Sequence, residues 1–296
     1  MTIETITSSD VRLSVRIEGA DDGPVVVLVH GFPDSQRVWD RVVPLLAADH
    51  RVVTYDVRGA GDSSAPSSRS GYRMSKLVGD LAAVIDHVRP DGGPVHLVGH
   101  DWGSIQGWGA VMREASDARI TGRIASYTSI SGPGLDLFGN FFRTGLARGR
   151  LATVGRQAVQ SWYVVAFQAP GLPELVARRF GRRLRATLAR SQKVDGQHWG
   201  DTFEADFRNG VNLYRANGLS FRRGTTAVPV QLVVPTKDSF LSPAVYADIE
   251  EFAPDVRRVD VVAGHWIVQS QPQVVADTVR AFVTEIEARQ DLRREA

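Results

Sequence analysis

Pro94-Val95-His96-Leu97-Val98-Gly99-His100-Asp101-Trp102-Gly103-Ser104 decides how the rest of this 296-residue chain is read. Val95 to Val98 has the apolar run of a short buried strand. It stops at Gly99 and gives way to helical sequence from about Gly103 to Ala115. A G-x-nucleophile-x-G frame between strand and helix presents its central residue on a sharp, strained turn. Glycine is needed at 99 and 103 because side chains there would collide where strand and helix pass closely. Serine is usual at the centre of such a frame; here it is Asp101. A carboxylate in that seat points to attack on a saturated carbon rather than on a carbonyl.

Outward from this stretch, strands and helices alternate. Val11 to Glu18 reads as a half-exposed edge strand and Pro24 to Val29 as a buried parallel strand. Val38 to Ala48 has helical spacing, Arg51 to Val57 is the next strand, and Met74 to Val88 is an amphipathic helix. Ile124 to Ile130 is a strand ended by Ser131-Gly132-Pro133-Gly134. Strand character resumes at Val228 to Val234, followed by a helix from about Pro243 to Phe252, strand Val256 to Val262, and a helix from about Pro272 to Ala288. The alternation predicts a mostly parallel sheet with helices on both faces. Residues 1–133 and 225–296 form the expected core. Residues 134–224, rich in Arg, Ala, Leu and aromatics, are the expected helical lid over the strand ends where such folds bind ligands. Glu285 to Ala296 reads as a frayed helix or the start of a linker.

Composition narrows the class. At 43% hydrophobic, the chain can bury one large core or a core plus a small accessory domain. The absence of cysteine excludes disulfides, thiolate catalysis and cysteine-ligated metals, and no metal or cofactor is expected. No apolar run is long enough to span a bilayer, and Met1-Thr2-Ile3-Glu4-Thr5 lacks the regions of a signal peptide, so a cytoplasmic protein is expected. The charge is nearly balanced, 35 Lys plus Arg against 33 Asp plus Glu, and no motif of a nucleic-acid-binding module is present. Oligomeric state is open, a homodimer included. Arg178, Arg179, Arg182, Arg183, Arg185 and Arg190 cluster locally, as a solvated helix face or a patch for an acidic partner or anionic membrane.

The loops that follow the strands hold the reactive residue types. His30-Gly31-Phe32-Pro33-Asp34-Ser35 is a tight turn from which the Phe32 N–H, with the Trp102 N–H, forms an expected oxyanion hole. Asp56 and Arg58, in a further glycine-rich turn, are read as structural ties between loops. A nucleophile needs a base, and the base an orienting acid. Ala263-Gly264-His265-Trp266 directly follows a strand, and so does Pro235-Thr236-Lys237-Asp238-Ser239-Phe240. This assigns His265 as base and Asp238 as acid, with Asp136 as the fallback acid. His50, His87 and His96 are expected at surface positions, His198 lies in the insert, and His30 and His100 flank turns.

His30-Gly31-Phe32-Pro33, Gly99-His100-Asp101-Trp102-Gly103, Lys237-Asp238-Ser239-Phe240-Leu241 and Gly264-His265-Trp266 together resemble the epoxide hydrolase family of the α/β-hydrolase fold, along nearly the whole chain. That resemblance implies two lid tyrosines gripping the epoxide oxygen. Their settings look like Tyr163-Val164-Val165-Ala166-Phe167-Gln168 and Asn212-Leu213-Tyr214-Arg215. It implies hydrolysis of a hydrophobic epoxide to a diol through an ester on Asp101, with Phe32, Trp102 and Phe167 against the substrate. Phe138, Phe141, Phe142, Trp162 and Phe167 are the expected wall of an apolar tunnel. A haloalkane dehalogenase shares Asp101, His265 and Trp102 and is the runner-up, with Trp162 as the candidate for its lid halide donor. An inactive binding domain is the reading from a different class. The chain also resembles the hydrolase half of actinobacterial proteins in which an epoxide hydrolase precedes a short-chain dehydrogenase. That implies fusion to, or association with, such a partner, although no dinucleotide-binding fingerprint occurs here.

Overall fold

Continuous β-branched runs set the centre of the molecule. In the computed structural model, which describes residues 1–219 and 224–295, every residue of Val25–Val29 and Val95–His100 is buried. A strand buried on both faces must lie inside a sheet covered by helices on both sides. The sheet has eight strands: β1 (Thr2–Ser8), β2 (Val11–Gly19), β3 (Val25–Val29), β4 (Arg51–Tyr55), β5 (Val95–His100), β6 (Ile124–Ile130), β7 (Val230–Pro235) and β8 (Val256–Val261). Their order is β1-β2-β4-β3-β5-β6-β7-β8. Only the pairs β1·β2 and β2·β4 are antiparallel. The strand expected at the edge, β2, is therefore an inner strand. Thr2–Ser8 covers it in a register from Thr2 opposite Ile17 to Ser8 opposite Val11. Its sequence, with a single apolar residue packed on the core, leaves no periodic signal to find.

The helices are α1 (Val43–Leu46), α2 (Met74–Val88), α3 (Trp102–Val111), α4 (Leu135–Ala147), α5 (Leu151–Gln160), α6 (Trp162–Ala166), α7 (Leu172–Gln192), α8 (Phe203–Ala216), α9 (Ile267–Ser270) and α10 (Pro272–Glu295). Alternation along β6 sends side chains to both faces. Tyr127 and Ser129 bond Ser104 of α3, while Ser126 bonds His96, which reaches Glu287 of α10. His96, like His50, is thus buried rather than at the surface, with its ring nitrogens paired across the sheet's second face. His87 is exposed and bonds Glu4.

Three local expectations change. Val38 to Ala48 is not one helix but a 3-10 turn, Gln36–Trp39, and the single turn α1, which begins beside Pro44. Pro243 to Phe252 likewise breaks into two 3-10 turns, Pro243–Tyr246 and Ile249–Glu251. The carboxyl-terminal helix continues to Glu295 without a break at Glu285, held by Arg289 against Asp255 and Glu285. Ala296, and residues 220–223 at the end of the predicted lid segment, lie outside the described residues.

Between β6 and β7 the chain leaves the sheet and forms α4 to α8. Its contacts with the core are polar as well as apolar. Asp206 of α8 accepts the Gly61 N–H at 2.9 Å, Asn209 donates to the Gly59 carbonyl, and Asn217 bonds Met74 and Tyr72. Asp56 and Arg58 tie loops as expected: Asp56 accepts from Gln36 and Asp62, and buried Arg58 makes a bidentate pair with Asp80 at 2.6 Å.

Candidate active site

The turn after β5 is strained in the manner its glycines require. Asp101 has φ 53° and ψ −120°, in the region that favours glycine, while its N–H continues the ladder by donating to Ile130. A Cβ at Gly103 would run into the Val29 carbonyl, one at Gly99 into Gly103 itself, and one at Gly31 into the Asp101 carboxylate. These close approaches are what let the Asp101 side chain stand clear of the sheet beneath the insert.

Three loops meet there. His265, after β8, directs Nε2 to Asp101 Oδ2 at 3.4 Å and Nδ1 to Asp238 Oδ2 at 2.8 Å. Asp238, after β7, is fixed in turn by the N–H groups of Phe240 and Leu241, which donate to its other oxygen at 2.8 and 3.1 Å. Asp136, the fallback acid, sits in the first turn of α4, and it is Asp238 that engages His265 Nδ1. The Phe32 N–H donates to Asp101 Oδ1 at 2.7 Å, so this amide already faces the carboxylate. Trp102 opens α3, where first-turn amides have no intrahelical acceptor.

Burial opposes protonation of His265, yet the Asp238 and Asp101 carboxylates outweigh it and push its pKa up to about 10. The two acidic side chains thus favour the imidazolium form of the ring between them. A raised pKa contributes stability that is complete below the ordinary value of 6.5 and is lost as pH rises through about 10. The unfolding temperature is expected to fall across that window when followed by scanning fluorimetry. In His265→Gln protein the fall should be absent.

The roof over Asp101 is aromatic. A cavity of about 540 Å³ is walled by Phe32, Asp101, Tyr163, Phe167, Tyr214, Phe240 and His265, and it runs outward past Leu184, Leu188, Val159 and Trp162. The Tyr163 and Tyr214 rings meet edge to face at 5.9 Å, and both pack on Phe167. Removal from water, reinforced by the Asp101 charge, pushes both phenols above their ordinary pKa of 10, so both stay protonated donors. Trp102 is not among the cavity's walls. Its buried ring backs Tyr214, centroids 4.9 Å apart, so the expectation that it lines the pocket is corrected to support of that tyrosine. Phe138, Phe141 and Phe142 are also elsewhere. They stack on one another along α4, with Phe141 facing the Pro243–Tyr246 turn side of the insert. An α-helix turns its aromatic face to whatever apolar surface is nearest, and for α4 that is the core flank rather than the cavity.

One charged residue beside the site carries no role in the sequence reading. Asp34 is fully buried, and its carboxylate accepts the indole N–H groups of Trp199 at 2.6 Å and Trp266 at 3.0 Å. His198 Nε2 lies 3.4 Å away and His100 Nδ1 3.8 Å. His100 then donates from Nε2 to the His265 carbonyl at 3.0 Å. Trp199 and His198 belong to the insert, and Trp266 and His100 adjoin His265 and Asp101, so one anion joins the insert to the loops that carry Asp101 and His265. The only sequence signal is its place after His30-Gly31-Phe32-Pro33; its partners stand up to 232 positions away. Asp34→Ala strands two buried indole donors, each costing about 1–3 kcal/mol. Thermal or urea unfolding should show a loss of at least about 2 kcal/mol.

The chain belongs to the alpha/beta hydrolase fold family, whose model matches residues 24–270. It is 40% identical over 298 residues to proteins of Mycobacterium tuberculosis and Mycobacterium bovis named probable oxidoreductase EphD, matching 96% of this chain but 49% of theirs. The chain thus spans about half the length of those relatives. It is 27% identical to the epoxide hydrolase A of Mycobacterium tuberculosis, across 96% of this chain and 98% of that one. Among solved structures, an epoxide hydrolase from Vigna radiata superposes with a TM-score of 0.75 at 22% identity, covering 96% of this chain and 98% of that one. Among the described residues, no helix is long and apolar enough to cross a membrane.

Proposed function

We propose that the protein hydrolyses an apolar epoxide to a vicinal diol through a covalent ester on Asp101. One observation carries the reading: an elbow carboxylate paired with a His–Asp couple shares its cavity with two protonated tyrosines, Tyr163 and Tyr214. The names of the epoxide hydrolase relatives agree with it.

In the first step an Asp101 oxygen attacks an epoxide carbon, the ring C–O bond breaks, and a tyrosine hydroxyl gives its proton to the departing oxygen. The product is an alkyl ester, and Asp101 is no longer charged. One of the two carboxylates that raise the His265 pKa has then gone, so the imidazolium becomes more acidic and can return a proton to the phenolate. Neutral His265, held by Asp238, next takes a proton from water, whose oxygen adds to the Asp101 carboxyl carbon. The Phe32 and Trp102 amides receive the oxyanion, a stabilisation of about 3–4 kcal/mol per donor in comparable sites. Collapse breaks the acyl C–O bond, and the second water proton ends on the diol. A serine at 101 would give an ether with no carbonyl for water to attack.

Between the alternatives, the haloalkane reading needs an N–H donor close to the elbow. Trp162, its candidate, is 67% exposed at the mouth of the cavity. For the longer relatives, the proposal is that this chain corresponds to their hydrolase half, with a dehydrogenase supplying the remainder.

The test is a screen of terminal, internal and fatty-acid epoxides with a haloalkane control. Diol formation by the wild type, its loss in Asp101→Asn, and no halide release are expected. Halide release without diol formation would replace the reading by its runner-up.

A further inference from the structure

We propose that the outer face of the helical insert docks on an anionic lipid surface, placing the cavity mouth against the bilayer so that an apolar epoxide enters from the membrane. The docking stands on the surface alone; the entry of substrate rests on the epoxide reading above.

Large apolar side chains left in water are concentrated on the insert. Val159 is 73% exposed, Trp162 67% and Val165 76%, and the first two form the outer rim of the cavity. A rim of this kind on a monomer marks a surface that meets something apolar. Beside it, α7 supplies Leu184 and Leu188 to the same cavity and holds Leu172, Val176 and Phe180 exposed at intervals of four. Arg179, three residues after Val176, and then Arg183 and Arg190, at further intervals of four and seven, lie on that side of the helix, so bases border the apolar strip. Arg185 turns away to bond the Gly196 and Gly200 carbonyls. Arg179 and Arg183 have no acidic partner among the described residues. The one carboxylate of α7, Glu174, is taken by Arg215.

Exposed apolar groups interleaved with uncompensated arginines match the interface of an anionic bilayer, with acyl chains below and phosphates above. A second copy fits less well. A twofold contact would set these arginines against their own images with no carboxylate on α7 to answer them. The geometry also gives the cavity a purpose for its apolar length, since its mouth opens where the lipid would lie.

Sedimentation with vesicles of phosphatidylglycerol and phosphatidylcholine, against vesicles of phosphatidylcholine alone, tests the proposal. Binding to the anionic vesicles only is expected, weakened by salt. Each basic residue near such a surface strengthens binding roughly fivefold, so Arg179→Gln/Arg183→Gln should bind about 25-fold more weakly. Its hydrolysis of a short, water-soluble epoxide should be unchanged, while an epoxide on a long acyl chain dissolved in the vesicles should be turned over more slowly. Absence of binding, or binding that the double variant leaves intact, overturns the proposal. So does a concentration-dependent dimer in light scattering that the variant dissolves, which would give the face to a second copy. Failure on the soluble epoxide strikes the reaction assigned to Asp101 and is read apart from vesicle binding.

Discussion

His265→Gln protein incubated with a lipophilic epoxide is expected to accumulate the ester. Mass spectrometry of the proteolytic peptide that contains Asp101 should show it heavier by the mass of the epoxide. Steady-state turnover should fall by about 10²- to 10⁴-fold, the usual contribution of a positioned general base. The reason lies in the division of labour that the proposed route assigns to the site. Asp101 needs no base to attack, because it is a carboxylate whose Oδ1 is already held by the Phe32 amide. Water does need one, and His265 Nε2 is the ring nitrogen on the Asp101 side, its Nδ1 being engaged by Asp238. Glutamine keeps an amide that can donate to Asp238, so the loop should stay in place. An unmodified peptide from protein that still turns over epoxide would sink the covalent route.

The second large effect belongs to the two tyrosines. Tyr163→Phe/Tyr214→Phe is expected to lower the rate of epoxide opening by about 10²- to 10⁴-fold, read by single-turnover formation of the Asp101 ester. Either single variant should fall between the double variant and the wild type. Phenylalanine retains the edge-to-face contacts of both rings with Phe167, at 5.5 and 5.0 Å, so the aromatic roof is preserved while the hydroxyls are lost. On the proposed route only the proton donor is removed. Carbon–halogen cleavage leaves an anion that requires no proton, so equal loss on a haloalkane would indicate a packing role instead.

Much of the site was legible because each loop is announced locally. A β-branched run followed by glycine marks a strand end, and in a parallel sheet successive strand ends come to one edge. That placed Asp101, Asp238 and His265 together without knowledge of any long-range contact, and the distances of 2.8 and 3.4 Å agree. The same logic failed for Thr2–Ser8, where an outer strand with polar residues on both faces carries no period. It also failed for Val38 to Ala48, where helical spacing persists across residues that form only single turns.

The sequence by itself determined the mostly parallel inner strands of the sheet, the strained seat at Asp101 and the chain order Asp101, Asp238, His265, because these depend on side-chain period, glycine sterics and chain direction. Only the tertiary structure decided which aromatics face the cavity. Phe167 and Phe240 do, Phe138 to Phe142 do not, and Trp102 stands behind Tyr214 rather than in the wall. It alone revealed Asp34 as the anion shared by Trp199 of the insert and Trp266 beside His265. A helix offers several faces, and a buried carboxylate takes its donors from wherever the fold delivers them. Those choices are made by packing among segments far apart in the chain, which leaves no local mark for a sequence to display.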